Sequence, residues 1–432
     1  MSKVGIRKWL SFIVAGLVGQ LAWAIENNYL NLYVFECTKE YTFIPIMVAA
    51  SAAAATLTTL FMGALSDRIG KRKAFVSFGY ILWGISIICF AFLNPKDSFN
   101  IVANNIMLSG TMIVLLDCVM TFFGSTANDA AFNAFVTENT DISNRGKVES
   151  VLSILPLVSM IVVVLAGGFL VSNSSPRWDL FFYIFGGITI VAGIGCIFLL
   201  PPDVHGPNKE EPYFKNIISG FRPKIIKENK FLYIVLFAFM LFSIAIQVFM
   251  PYLMVYVQEV LGIREGNFTL TLGVVLGISC IITVVFGAFI DKIGKNRIIF
   301  PALGVAFIGS IIAMFVSNQA GIMIGATILM TGYMVSTAVL SAKIRDYTPE
   351  NEAGLFQGVR MFFVVLIPML TGPYIGQALS YIGAKPYVNE YGRTVVAPNR
   401  WIFLGTAVFL VLTAIPMVYL IIQEKKLNEQ PK

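Results

Sequence analysis

Histidine occurs once in these 432 residues, at His205 in a polar stretch. One imidazole supplies neither a histidine-based zinc site nor a nucleophile–base triad. Cysteine is also scarce. Cys89, Cys118, Cys196 and Cys280 fall inside apolar runs and Cys37 near the end of one, which reads as free thiols and not as a disulfide framework or metal ligands. Charge is the third shortage. Asp, Glu, Lys and Arg make up 13% of the chain, where a soluble globular chain has about a quarter. With 57% hydrophobic residues, too little polar surface remains to cover a water-soluble body. No phosphate loop is present, since runs such as GVVLG at 273–277 are helix-packing signals. These shortages exclude an enzyme and imply no cofactor. The net charge of +7 is spread in short clusters between apolar runs, which excludes nucleic acid as a partner.

What the chain has instead is length of apolar run. A bilayer core of about 30 Å takes about 20 apolar residues per helix. That rule predicts twelve spans, at 9–35, 41–65, 74–94, 105–136, 151–172, 180–200, 231–258, 266–290, 298–317, 321–342, 354–382 and 401–422. None alternates as a barrel strand does. The basic start MSKVGIRKW is followed by a run too long for a signal-peptide core, so it opens the first span. With the N-terminus inside, the inner segments hold 23 Lys and Arg, the outer loops 7, and Arg360 falls within span eleven. The positive-inside rule then predicts a multi-pass cell-membrane protein with both termini cytoplasmic. The polar, proline-punctuated stretch 201–230 reads as a cytoplasmic linker between an N-terminal half, 1–200, and a C-terminal half, 231–432. A small amphipathic surface helix fits around Phe214–Phe221.

The two halves share marks. GALSDRIGKRK at 63–73 returns as GAFIDKIGKNR at 287–297, 224 residues further on and between the same two spans of its half. Gly79 and Gly84 pair in the same way with Gly304 and Gly309, and Pro156 with Pro368. Two related six-helix halves are a transporter architecture. Gly63 and Gly287 permit close helix approach. Asp67 and Asp291 sit where a base or a helix N-terminus can face them. Gly70 and Gly294 suit a turn with positive φ. Arg68, Lys71, Arg72 and Lys73 hold the loop against anionic lipid.

GALSDRIGKRK closely resembles the loop 2–3 signature of the major facilitator superfamily, and GAFIDKIGKNR its weaker second copy. Glu26 in span one, Asp117 in span four and NRGKVES after span four resemble the sugar branch, which holds the glycoside–pentoside–hexuronide symporters and proton-coupled sucrose carriers. The resemblance implies an all-α membrane protein of twelve helices in two pseudo-symmetric halves, working by alternating access. It implies a gating latch that favours the outward-open state, drawn here from Gly63, Asp67, Arg68, Gly70, Arg72, Arg145, Asp291 and Gly294. It also implies a cavity lined by spans 1, 4, 7 and 10. One departure matters: span two, MVAASAAAATLTTLFMGAL, has no acid before Asp67, unlike the melibiose-type carriers. That argues for protons over sodium.

Ionisable groups inside a bilayer cost roughly 2.5–3.5 kcal/mol each, so each is a functional candidate. Glu26 lies about 27 Å along a helix from Lys8 and shares a face with Gln20, Trp23 and Asn27, with Asn28 beside them. It can carry a proton, accept a hydroxyl, or simply be satisfied by water and the asparagines. Asp117 has apolar neighbours on both sides and is the deepest charge, a proton or sugar site or a structural acid paired with another helix. Asp129 is a gate residue or part of the inner cavity wall, and Asn128 beside it, like Gln20, Asn27 and Asn28, is a candidate substrate contact. Arg360 pairs with an acid at the inner mouth or snorkels. Gln247, Tyr252 and Tyr256 in span seven, and Tyr333 and Thr337 in span ten, offer hydroxyls and amides to a neutral polyol. Trp23 stacks on a sugar ring or packs between helices. The expectation is a monomeric proton symporter of a sugar or glycoside, with Glu26 and Asp117 coupling the proton. The alternative is a proton-driven exporter of drugs or metabolites.

Overall fold

The computed structural model describes residues 5–95, 101–102, 105–140, 148, 151–152, 154–171, 175–203, 220–263, 271, 273–279, 281–283, 293–348, 353–384, 386–388 and 394–428. Among them are ten helices long and apolar enough to cross a membrane. In the N-terminal part they are α1 (Ile6–Thr38), α2 (Phe43–Gly63, helical on to Ile69), α3 (Arg72–Phe92), α4 (Ile106–Val136) and α6 (Trp178–Leu199). In the C-terminal part they are α7 (Lys230–Gln258), α9 (Lys295–Phe315), α10 (Gln319–Ile344), α11 (Gly358–Ser380) and α12 (Trp401–Lys426). Two shorter apolar helices, α5 (Val158–Leu170) and α8 (Gly273–Thr283), fall inside the two remaining predicted spans.

Contacts divide the chain into two compact units, Met1–Tyr213 with Arg264–Thr269, and Phe214–Ile263 with Leu270–Lys432. Within the first, α3 lies against α6, α1 against α5, and α2 against α4. Within the second, α9 lies against α10, and α7 against α11 and α12. The last part of the polar stretch 201–230 is packed on the second unit. Phe221 meets the Phe362 ring at 5.0 Å, and the Tyr233 hydroxyl donates to the Gly220 carbonyl. A six-residue helix stands at Pro223–Glu228. Most of the Phe214–Phe221 segment, expected as an amphipathic helix, lies outside the described residues. A short hairpin, Tyr387–Val388 with Thr394–Val395, was not expected and lies between α11 and α12.

Local sequence explains where helices begin and how closely they approach. Asn105 and Asn318 open α4 and α10 in the same way, each side chain accepting a backbone N–H three residues on (Leu108 and Gly321). Gly84 lets α3 meet α6: a Cβ there would stand 2.6 Å from the Gly186 carbonyl. Gly309, its partner in the repeat, instead lets α9 meet α10, with a Cβ only 2.2 Å from the Leu329 nitrogen. Gly79 and Gly304 do not share a role. A Cβ on Gly79 would strike Ala127, whereas one on Gly304 would meet nothing within 4 Å.

The spans are not uniformly α-helical. Among the described residues, π turns occupy Glu26–Leu30 in α1, Ser125–Phe132 in α4, Tyr256–Val260 in α7 and Phe362–Leu366 in α11. Widening a helix in this way disturbs its i→i−4 carbonyl ladder, and polar side chains can serve the loosened carbonyls. Asn27 and Asn28 donate to the Trp23 and Ala24 carbonyls at 2.9 and 2.8 Å, and Thr126 to Phe122 at 2.7 Å.

Candidate functional site

Polar groups buried in the first unit gather where α1, α2, α3 and α4 meet. One end of this unit is strongly basic, carrying Arg7, Lys8, Lys71, Arg72 and Lys73. Lys8 donates to the Asn139 carbonyl there (3.4 Å), which fixes a common level for α1 and α4. At 1.5 Å per residue, Glu26 stands about 27 Å above Lys8, and Thr121 about 26 Å above Glu138. The two meet accordingly: Thr121 Oγ1 donates to Glu26 Oε1 at 3.2 Å. Asp117, one helical turn further from the basic end, is close enough to Glu26 to interact with it electrostatically, and the Ser51 hydroxyl lies beside it.

Glu26 is 9% and Asp117 1% exposed. Glu26 Oε2 and Asp117 Oδ1 are buried without a hydrogen-bond partner among the described residues, as is the neighbouring Asn31 Oδ1. An unmatched buried carboxylate oxygen is costly, and binding a proton converts it to a neutral donor. The arrangement is suited to taking up and releasing a proton.

Asp129 lies on the π turn of α4, half-buried, about 14 Å from Glu138. Ser125 donates to its Oδ2 (3.1 Å), and the Asn128 amide approaches Oδ1 (3.4 Å). Asn128 is held in turn by Tyr80, whose hydroxyl donates to the Ala15 carbonyl (2.7 Å) and sits 3.1 Å from Asn128 Oδ1. Gly19 makes room for both: a Cβ there would stand 2.5 Å from Asn128 Oδ1 and 2.6 Å from the Tyr80 hydroxyl.

The remaining candidates have varied surroundings. Gln20 and Trp23 are half-buried, Asn28 is buried and Asn27 is exposed. Trp23 meets Trp83 edge-on at 5.0 Å, and Trp83 stacks on Tyr80. In the second unit, Gln247 is half-buried against Gly372, where there is no space for a Cβ. Tyr252 is buried in the core of this unit and donates its hydroxyl to the Pro373 carbonyl (2.8 Å). Tyr256 is buried against Phe403. Tyr333 is half-buried, stacks on Phe242 with rings 9° apart, and accepts the Thr337 hydroxyl at its carbonyl. Thr331 Oγ1 and Ser336 Oγ are buried without partners among the described residues.

At the basic end of the first unit, Gly70 has φ +68° and closes α2 by donating to the Ser66 carbonyl (2.9 Å). Gly63 lies within α2, before that turn. Arg72 is buried, not spread on a surface as a topology signal alone would have it. Two of its nitrogens donate to Glu138 Oε1 at 3.2 Å, and a third to Ser66. In the second unit Gly294 has φ +96° ahead of α9. There Glu424 accepts from Lys343 (2.9 Å), Asn296 (2.6 Å) and Tyr347. These groups line an open cavity of about 630 Å³ together with Lys295, Arg297 and Phe231. Arg360 is half-buried just before the π turn of α11. Arg145, Asp291 and the side chains of Asp67 and Arg68 lie outside the described residues.

Thr121, Ser125, Tyr80, Ser51 and Glu138 were not singled out in the sequence. Two of them were findable, because Thr121 and Ser125 stand four and eight residues after Asp117 on one helix. Tyr80 and Ser51 come from other helices and Glu138 from the far end of the same helix, and no spacing announces them.

A family model described as Major Facilitator Superfamily matches residues 9–364. The sequence has no match among curated proteins. Several solved structures share the fold. A mutant of the nucleoside transporter NupG is 11% identical with a TM-score of 0.72, over 95% of this chain and 99% of its own. The xylose transporter XylE from E. coli, in a partially occluded inward-open conformation, is 13% identical with a TM-score of 0.69, over 95% and 97%. A bacterial homologue of the human lysosomal transporter Spinster is 14% identical with a TM-score of 0.64, over 97% and 98%.

Proposed function

The chain belongs to the major facilitator superfamily, and from that premise we propose that this secondary transporter moves a small polar solute, a sugar or glycoside, in symport with protons. The observation that carries the reading is the carboxyl pair Glu26 and Asp117, each buried with an oxygen that has no hydrogen-bond partner among the described residues. A protonated pair neutralises the loaded carrier, so loaded and empty forms can change conformation while half-loaded ones do not. Gln20, Trp23, Asn27 and Asn28 in α1, and Gln247, Tyr333 and Thr337 in the second unit, supply amides, hydroxyls and aromatic faces for a polyol. A D-xylose–proton symporter with the same fold, at 15% identity and a TM-score of 0.68, is consistent with this solute class. The excess of Lys and Arg in the segments assigned as inner supports cytoplasmic termini.

The test is purified protein in liposomes with an inward proton gradient and a panel of radiolabelled mono- and disaccharides. Gradient-driven uptake that is lost in Asp117→Asn or Glu26→Gln supports the reading. Absence of any sugar uptake, together with gradient-driven movement of a lipophilic cation in a parallel assay, replaces it with a proton-driven exporter.

A further inference from the structure

The buried acids of the first unit are connected to a third one by a regular series. Asp117, Thr121, Ser125 and Asp129 stand four residues apart along α4. On an α-helix each such step over-rotates by about 40°, since four residues exceed one turn of 3.6. The series would therefore slide off one face within three steps. The π turn at Ser125–Phe132 is wider than an α turn and takes back part of that drift at its lower end. The result is a polar line about 18 Å long running from mid-helix toward the basic end.

The line has contacts at both ends. Thr121 donates to Glu26 at 3.2 Å, and Ser125 to Asp129 at 3.1 Å. Thr121 and Ser125 are about 6 Å apart along the axis, so linking their hydroxyls takes one bridging water. Asn128, braced by Tyr80, fixes the other oxygen of Asp129. Glu26 Oε2 and Asp117 Oδ1, both at least nine-tenths buried and without partners among the described residues, stand at the upper end. Asp129, half-buried, is the end of the line nearer the basic end.

We propose that Asp129 is the group through which Glu26 and Asp117 release their proton toward the basic end, connected to them through the hydroxyls of Ser125 and Thr121 and one intervening water. This rests on the proton-coupled reading above. Written in the loading direction, the Asp129 carboxyl gives its proton to Ser125 Oγ, which passes its own to the water. The water passes one to Thr121 Oγ1, and Thr121 passes its own to Glu26 Oε1. Each hydroxyl and the water gain one proton and lose one, so Asp129 ends as carboxylate and Glu26 as carboxylic acid. Release reverses the sequence.

The experiment uses the purified full-length protein and follows the infrared C=O stretch of protonated carboxyl groups between pH 5 and 9. The Glu26 band is assigned by its loss in Glu26→Gln. A rapid jump into D2O then times the exchange of that proton. Asp129→Asn and Ser125→Ala are expected to slow the exchange at least tenfold, and Asp129→Glu to restore it, with thermal unfolding unchanged in all three. A Glu26 band whose exchange is as fast in Asp129→Asn and Ser125→Ala as in the unaltered protein overturns the path and leaves symport standing. No Glu26 or Asp117 band anywhere in that range overturns both.

Discussion

Replacing Glu138 with Gln keeps the shape of its side chain and removes its charge. Arg72 then keeps Ser66 and its other contacts but loses the carboxylate that takes two of its nitrogens. The side chains are 8% and 20% exposed, so the arginine cannot turn to water for compensation. Stripping one partner from a buried ion pair costs about 3–5 kcal/mol. The fifth of Glu138 that reaches water puts this pair at the lower end, about 3 kcal/mol. For a unit of this size each kcal/mol moves the melting temperature by about 2–4 °C, so Glu138→Gln should lower it by roughly 6–12 °C. The cysteines provide a selective readout. Cys37, Cys89, Cys118 and Cys196 all lie in the first unit, two of them buried. In a Cys280→Ser background, a thiol-reactive dye in detergent solution therefore reports the unfolding of that unit. The double variant Arg72→Gln/Glu138→Gln should recover part of the loss, because the charge that Glu138 balances is removed with it. A shift below about 2 °C in the single variant, or strictly additive losses in the double, refutes the buried-pair argument.

Other substitutions follow the same logic. Glu424→Gln weakens an acceptor used by three donors; it should cost the second unit about 3 kcal/mol, read as a lower melting temperature by scanning calorimetry. Gly309→Val places atoms against the Leu329 backbone and should abolish folded expression, while Gly304→Val, facing open space, should express normally; equal yields would contradict the α9–α10 contact. Gly19→Ala forces Asn128 and Tyr80 apart and should destabilise by about 1–3 kcal/mol. Adding Tyr80→Phe, which removes one of the two crowded oxygens, should restore part of that in the same melting assay.

The span pattern was readable because hydrophobic length is a local property. Each of the ten long helices begins and ends within a few residues of its expected limits. The turn at Gly70 was readable for the same reason: a glycine between a helix end and a basic cluster has few other roles, and its φ is +68°. The π turns were not. ENNYL and STANDAAF carry no hydrophobic period that distinguishes a wide turn from an α turn. Glu26 and Asp117 were visible as charges in apolar runs, but their proximity was not. It depends on how far α1 and α4 slide past each other, which the Lys8–Asn139 contact fixes and no single helix encodes. Glu424 shows the same limit in the other unit. It sits near the chain end among charged residues, where a sequence reading expects a solvated tail, and it is tied instead to α9 and α10.

The π turn of α1 also has consequences for how this chain can change over generations. Such a turn is an α-helix carrying one residue too many. Deleting a single residue inside Glu26–Leu30 removes the surplus and leaves Asn31–Thr38 facing as it does now. The same deletion a few positions earlier, within the α-helical part of α1, rotates everything after it by about 100° and turns the buried rings of Tyr29, Tyr33 and Phe35 away from their partners. Length variation in this helix is therefore confined to one window, and that window contains Glu26.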